Sequence, residues 1–316
     1  MPTPIPNREQ YKTKKDFEGR YKSILGKEYD KFIDYSLSFL RRSIRVNTLK
    51  ISIEKLKTRL EKKKWILEQI PWCREGYWVN HEEGRRDIGN TIEFKLGYIY
   101  VQEAASMIPP IILDPKPGEL VVDMCASPGS KTTQIAQYME NSGILIANDV
   151  TGDKMKPLAM NIQRMGIANC VITLMAGQWF KDFKFDKVLV DAPCSGTGTI
   201  RKSLKTLKIY NINMFPKLAK VQRQLIETGY SVLKKGGTLV YSTCSTEPEE
   251  NEGVVSYFLN KHKDAEIKDT SLNIKRSKPL LEFNGEKYHP DVSKCLRIWP
   301  HDNDTDGFFV AKIVKL

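Results

Sequence analysis

The sequence predicts an α/β fold with a mostly parallel sheet, preceded by a small α+β module, and three observations carry that prediction. From Gln102 onward, short apolar runs that read as strands alternate with segments of helical spacing, the signature of βαβ units. VVDM, ILIAND, KVLVDA and GTLVYST are strands of this kind, and a loop rich in small or polar residues follows each. Open α/β sheets bind their ligands at those carboxyl ends. Upstream the texture differs: SIRVNTLKIS reads as a strand entering a turn, Ile53–Lys64 as an amphipathic helix, and Tyr77–Asn80 as a strand after the Pro71 break. Still earlier, Phe17, Tyr21, Ile24 and Leu25, then Phe32, Leu37 and Leu40, mark two short helices. The chain thus divides into a helical segment 1–40, an α+β module 41–98 and an α/β domain 99–316.

At 316 residues and 41% hydrophobic content the chain can bury a full-sized core. A mean hydropathy of -0.42 fits a water-soluble protein, and no apolar run approaches the ~20 residues of a membrane helix. MPTPIPNREQYKTKK lacks a signal peptide's apolar stretch, so a cytoplasmic location is expected. Six cysteines, none in a CxxC pair, predict free thiols rather than a disulfide framework or a metal site. The net charge of +12 points to a polyanionic partner. Arg41–Arg74 holds 11 lysines and arginines against 3 acidic residues, so the anion is expected to touch there.

The strand Leu120–Met124 runs into CASPGSKTT and then the helix QIAQYM, which brings backbone N–H groups of a small-residue loop to a helix N-terminus. GxxxxGK[ST] is absent, because Ser130 separates Gly129 from Lys131, and this argues against a nucleoside triphosphatase. The next strand ends in Asp149, about 20 residues on, where a carboxylate reaches ribose hydroxyls in nucleotide-binding βαβ units. An adenosyl cofactor suits both features.

DKVLVDAPCSG and LVYSTCS each deliver a cysteine to that same sheet edge, so Cys194 and Cys244 can converge. Such a pair suits a carbon that is a poor nucleophile, such as C5 of cytosine. A thiolate adding to C6 gives an enamine-like intermediate, and a second group must then see the C5 proton leave. A positive neighbour or a helix N-terminus is expected to lower the attacking thiol's pKa. Cys73, Cys170 and Cys295 read as small buried apolar residues, and Cys125 as a backbone contributor to the loop.

DMCASPGSKTT, DAPCSGTG and YSTCSTEPEENE resemble the signatures of the Sun/Fmu-like family of RNA (cytosine-5)-methyltransferases, and RVNTLK and VQEAAS also look like family segments. The resemblance spans about residues 41–316 and is nearest to compact archaeal-type members that act on tRNA. It implies a Rossmann-like methyltransferase domain after an RNA-recognition-like module, with S-adenosyl-L-methionine as methyl donor. By the same resemblance Cys244 is the nucleophile on C6 and Cys194 assists proton removal and release, while Asp191 holds the cytosine near the donor. Donor contacts fall on Cys125, Ala126, Ser127, Pro128, Gly129, Ser130 and Lys131, on Asp149 for the ribose, and on Lys154 where relatives carry Arg. Lys202 is a further candidate for phosphate or active-site contact. One departure stands out: Ala176 occupies the position of an Asp that accepts from the adenine amino group, with the side chain of Gln178 as a candidate substitute. Ser127 and Ser130 replace the family's Ala and Gly.

Trp65 and Trp72 interleave the basic stretch, a composition suited to base stacking beside phosphate contacts. A folded RNA with an extrudable cytosine is the expected partner, tRNA before ribosomal RNA, acted on by a monomer. A DNA cytosine methyltransferase is disfavoured by the second cysteine in YSTCS. An RNA-binding assembly factor whose chemistry has decayed is the rival that Ala176 raises, and the retained Cys194, Cys244, Asp191, Asp149 and Lys131 argue against it.

Overall fold

The computed structural model describes residues 2–316. Helices α1 (Lys15–Leu25) and α2 (Tyr29–Ser36) form where the apolar spacing predicts, although α2 ends before Leu37 and Leu40, and Phe17, Tyr21 and Phe32 are buried on their shared face. Tyr21 and Phe32 stack at 4.8 Å. That face does not close on itself. It packs on Ile200, Leu207, Tyr210, Phe215 and Trp299 from the far end of the chain, so residues 1–40 are built onto the α/β body.

The next unit is an antiparallel sheet of β1 (Ser43–Val46), β2 (Trp65–Gln69), β3 (Gly76–His81) and β4 (Ile99–Val101), in the order β2-β3-β1-β4. Helix α3 (Ile53–Glu61) starts where the Ser52 hydroxyl accepts from Lys55 N–H, and it buries Leu56 and Leu60 in the module's core. It stops short of Lys64 because that residue turns left-handed, with φ of 63°, to enter β2. A short helix, α4 (Ile92–Lys95), precedes β4. Since β4 pairs with β1, the module's sheet runs three residues past the expected limit of 98.

The two tryptophans expected to stack on bases do not face solvent. Trp65 is 2% exposed and Trp72 7%; the Trp72 indole donates to Ala104 O at 3.0 Å and meets Trp78 edge-on. Aromatic rings on a small sheet are worth more as core than as surface. The basic stretch is also partly neutralised, with Arg41 on Glu68, Lys64 on Glu83, and Arg59 and Lys63 both on buried Glu93. Arg45 points inward, donating to Gln102 Oε1 at 2.6 Å, Ser130 O at 2.7 Å and Thr133 Oγ1 at 2.9 Å, and so ties the module to the first turn of the helix that follows β5.

The α/β domain comprises α5 (Ile108–Leu113), β5 (Leu120–Asp123), α6 (Ser130–Tyr138), β6 (Ile144–Asp149), α7 (Met155–Met165), β7 (Cys170–Leu174) and β8 (Phe185–Asp191). It continues through α8 (Lys205–Ile209), α9 (Phe215–Ser231), β9 (Leu233–Thr243), α10 (Glu252–Lys261) and β10 (Ala265–Lys268). A two-residue hairpin, β11 (Glu282–Phe283) and β12 (Glu286–Lys287), leads to β13 (Leu296–Ile298), α11 (Pro300–Asn303) and β14 (Phe308–Lys315). The sheet order is β10-β14-β9-β8-β5-β6-β7, with β13 also on β14. From β9 to β7 the strands are parallel, and β14, β10 and β13 add an antiparallel edge. Among the described residues no helix is long and apolar enough to cross a membrane.

Arg297 of β13, 1% exposed, grips Glu252 of α10 through both carboxylate oxygens at 2.7 and 2.6 Å and donates to Thr246 O at 3.0 Å. Removing one partner of a buried pair strands the other charge. Glu252→Ala should therefore cost about 3–5 kcal/mol in urea unfolding. Lys22→Ala, from the exposed pair with Glu18, should leave the unfolding midpoint unchanged.

Candidate active site

Three parallel strands, β5, β8 and β9, end at one edge, and each hands its loop a distinct chemistry. After β5 the chain passes Cys125–Pro128 and turns at Gly129, with φ of 101°, into α6. A Cβ there would sit 3.1 Å from Leu158 Cδ1, so conformation and space both call for glycine. The loop is anchored from beneath: Asp123 accepts from Thr132 Oγ1 at 2.7 Å and Cys125 N–H at 3.4 Å, and burial pushes its carboxyl up to about 7. At the end of β6, Asp149 accepts from Ser127 N–H at 3.3 Å and Val150 N–H at 2.8 Å, with the exposed Lys154 ammonium 3.5 Å away.

Strand β8 ends in Asp191 and β9 pairs it in register with Ser242, so the loops that follow start side by side. Asp191 accepts from the Ser242 hydroxyl at 2.7 Å and from Lys131 Nζ at 2.7 Å; that ammonium also reaches Ser106 Oγ at 3.1 Å. Three residues past Asp191 and two past Ser242, Cys194 Sγ and Cys244 Sγ lie 3.3 Å apart, unbonded. Glu250 holds this contact. It accepts from Ser195 N–H at 2.9 Å, from the Ser195 hydroxyl, from the Ser245 hydroxyl at 2.8 Å and from Gln222 Nε2 at 2.9 Å, clamping the residues that follow each cysteine.

The two sulfurs are not equivalent. The hydrogen bond from Cys194 lowers the Cys244 pKa; burial and Asp191 oppose it, and Lys131 assists it. Cys194 is driven well up by that same hydrogen bond, by burial and by the Cys244 charge. The hydrogen bond from Cys194 thus biases the pair toward a thiolate on Cys244 and a proton on Cys194. Burial raises Cys73, Cys125, Cys170 and Cys295, so among the described residues Cys244 is the one thiol moved toward thiolate. Cys73 and Cys295 are core residues as expected, whereas Cys170 is half-buried on β7.

A cavity of about 340 Å³ opens at this edge, walled by Cys125, Ala126, Ser127, Pro128 and Ser130 and including Lys131, Asp191, Cys244 and Lys202. Asp149, Lys154, Gly129 and Cys194 support this wall rather than line it. Gln178 is exposed and lines a separate groove along α9, so its position gives no support to the adenine contact expected of it. Tyr100, Glu103 and Asp306 also line the cavity and are not singled out in the sequence, nor is Glu250, although Glu103 lies within VQEAAS and Glu250 within YSTCSTEPEENE. The donor set fits S-adenosylmethionine: a strand-end carboxylate for a ribose diol, a small-residue loop for close approach, and a cavity that reaches Cys244.

These charge assignments fix thiol reactivity. In iodoacetamide labelling followed by peptide mass spectrometry, Cys244 should label fastest at neutral pH, with an inflection below an ordinary thiol's. Cys194→Ala should move that inflection upward, because it removes the hydrogen bond that favours the thiolate.

Comparison with known proteins places the chain among RNA methyltransferases. Residues 110–314 match the family model of the 16S rRNA methyltransferase RsmB/F, and residues 14–104 match the N-terminal domain of 16S rRNA methyltransferase RsmF. The chain is 44% identical over 311 residues to a tRNA (cytosine(49)-C(5))-methyltransferase of Pyrococcus abyssi, covering 95% of this chain and 99% of that one. It is 40% identical over 292 residues to ribosomal RNA small subunit methyltransferase F of Shewanella oneidensis, covering 90% of this chain but 60% of that longer relative. Among solved structures, a methyltransferase homolog from Pyrococcus horikoshii superposes with a TM-score of 0.87 at 37% identity, covering 99% of this chain and 100% of that one. NSun6 from the same organism gives 0.84 at 26% identity, covering 96% and 98%. The chain therefore belongs to the RsmB/F family of S-adenosylmethionine-dependent RNA methyltransferases.

Proposed function

We propose that this enzyme methylates C5 of a cytosine in folded RNA, tRNA first, through a covalent bond from Cys244 Sγ to C6. The observation that carries this reading is the 3.3 Å sulfur pair, in which Cys244 is shifted toward the thiolate and Cys194 away from it. A nucleophile that adds to C6 has to be a thiolate, and its neighbour has to act later.

Cys244 is prepared for the first task by Cys194 and Lys131. Asp191, whose oxygens already accept from Ser242 and Lys131, keeps lone pairs for the exocyclic amino group of cytosine. Once Cys244 becomes a thioether it carries no charge and is only a weak acceptor of the Cys194 proton. The two influences of Cys244 that held the Cys194 thiol up then largely vanish. Cys194 can lose its proton to solvent and, as thiolate, take the C5 proton while the C6–S bond breaks. S-adenosylmethionine, when bound, supplies the methyl group; Cys125 to Lys131 would hold it, Asp149 would accept from its ribose and Lys154 would neutralise Asp149.

The match to the archaeal tRNA enzyme over 99% of its length favours tRNA, since the ribosomal RNA relative extends well beyond the matched region. Residues 41–101 would form the RNA-binding module, with exposed Arg42, Lys55, Lys62 and Arg74 as phosphate contacts. We take the active unit to be a monomer, and six free thiols fit a reducing cytoplasm.

The cysteine roles are tested by denaturing gels of protein incubated with RNA and donor. Cys194→Ala should accumulate a protein–RNA adduct that survives denaturation, and Cys244→Ala should form none. The opposite pattern would exchange the roles, and no adduct with either would remove the covalent scheme. Glu250→Ala should lower the single-turnover rate roughly 100-fold by letting the cysteine loops part, while S-adenosylhomocysteine affinity holds within threefold.

A further inference from the structure

A second pair of acids, Glu103 and Asp306, lines the cavity that holds Cys244. Asp306 sits there because Gly307 N–H donates to Gly198 O at 2.9 Å and Gly198 N–H donates to Cys244 O at 3.0 Å. A Cβ on Gly198 would fall 2.3 Å from Gly307 O and 2.8 Å from Cys244 O, so glycine is what lets the three segments meet. Asp306 N–H donates to Glu103 Oε1 at 3.2 Å, and Glu103 Oε2 accepts from Ser106 N–H at 3.0 Å. Asp306 is 3% exposed, yet its Oδ1 has no hydrogen-bond partner among the described residues. A buried polar atom left open beside a cavity needs a ligand to satisfy it.

Four charged or titratable groups face Asp306. Burial, then Glu103 and Cys244, push its carboxyl well up, while Lys202 and Arg201 oppose them. Arg201 is already committed to Asp304 at 2.6 Å and to Phe39 O and Thr305 O, and Lys202 is exposed. Burial and its acidic neighbours thus favour the protonated form of Asp306, while both oxygens of Asp191 already act as acceptors. Adding a thiolate to C6 drives negative charge onto N3 and O2, where a positioned acid has most to offer.

We propose that Asp306 is a catalytic acid of the addition step, giving its carboxyl proton to N3 of the cytosine as Cys244 Sγ bonds to C6. This rests on the covalent reading above. The Sγ lone pair forms the C6–S bond, the C5–C6 π pair moves to C4–C5, and the C4–N3 π pair takes the proton, leaving Asp306 as carboxylate. When C5 gains its methyl group, N3 re-forms its bond to C4 and returns the proton to Asp306. The C5 proton then leaves to Cys194, and its bonding pair re-forms C5–C6 as the sulfur departs with its own pair.

The test is the pH dependence of single-turnover methylation of a tRNA transcript, with S-adenosylhomocysteine binding as the check on folding. Asp306→Asn should slow the reaction 100-fold or more while binding holds within threefold. Glu103→Gln should move the alkaline limb to lower pH, because removing its charge lets Asp306 lose its proton earlier. Should Asp306→Asn fail to fold, the Glu103→Gln limb decides alone. An Asp306→Asn rate within threefold of wild type, or an unmoved limb in Glu103→Gln, overturns the proposal. A wild type that forms no 5-methylcytidine would bring down the covalent reading as well. Normal wild-type product with a fully active Asp306→Asn brings down this assignment alone.

Discussion

Two sulfurs that bias one another's ionisation must be held within hydrogen-bond reach, and here the parallel pairing of β8 with β9 does this. Asp191 lies opposite Ser242, so each strand releases its cysteine loop at the same level of the sheet. The neighbouring strand β5 sends α6 off at that edge, which brings Lys131 onto Asp191. Shifting any of these strands by one residue would turn its side chains to the opposite face. The antiparallel edge of β14, β13 and β10 then encloses the site from the far side, with Gly307 stitched to Gly198 at the root of β14.

The charges in the site are costly to bury and hold one another in place. Asp123, Asp191, Glu103, Asp306, Glu250 and Lys131 all lie in or beside one cavity, with backbone N–H and hydroxyl donors distributed among them. Such preorganised donors and acceptors need not reorient as charge moves from sulfur to the pyrimidine ring. Around them the fold is conventionally rigid: Arg45, Arg297 and Arg201 are buried and tie the loops to the module, to α10 and to the N-terminal segment.

What the sequence revealed was chiefly what lies local to a strand and its loop. VVDM, ILIAND, KVLVDA and GTLVYST are strands because unbroken apolar runs suit a sheet covered on both faces. The antiparallel strands β13 and β14 lie within the α/β domain but gave no periodic signal that separates them from parallel ones. Trp65 and Trp72 looked like stacking platforms, because composition does not say which face of a strand or turn is covered; both are core. Glu250, Glu103 and Asp306 are brought to the site by contacts with distant segments, so no spacing announces them. Gln178 was credited with an acceptor's role, while the local 3-10 turn at Gly177–Trp179 leaves it exposed on the α9 groove.

Nucleoside mass spectrometry is the most direct test of the central claim, that the cysteine pair performs cytosine-5 methylation on RNA. Unmodified tRNA and ribosomal RNA would be incubated separately with the protein and S-adenosylmethionine, with Cys244→Ala as control. The account predicts new 5-methylcytidine in the tRNA pool and none with Cys244→Ala. A methylated base other than 5-methylcytidine, 5-methylcytidine formed equally by Cys244→Ala, or no product in either pool would contradict it.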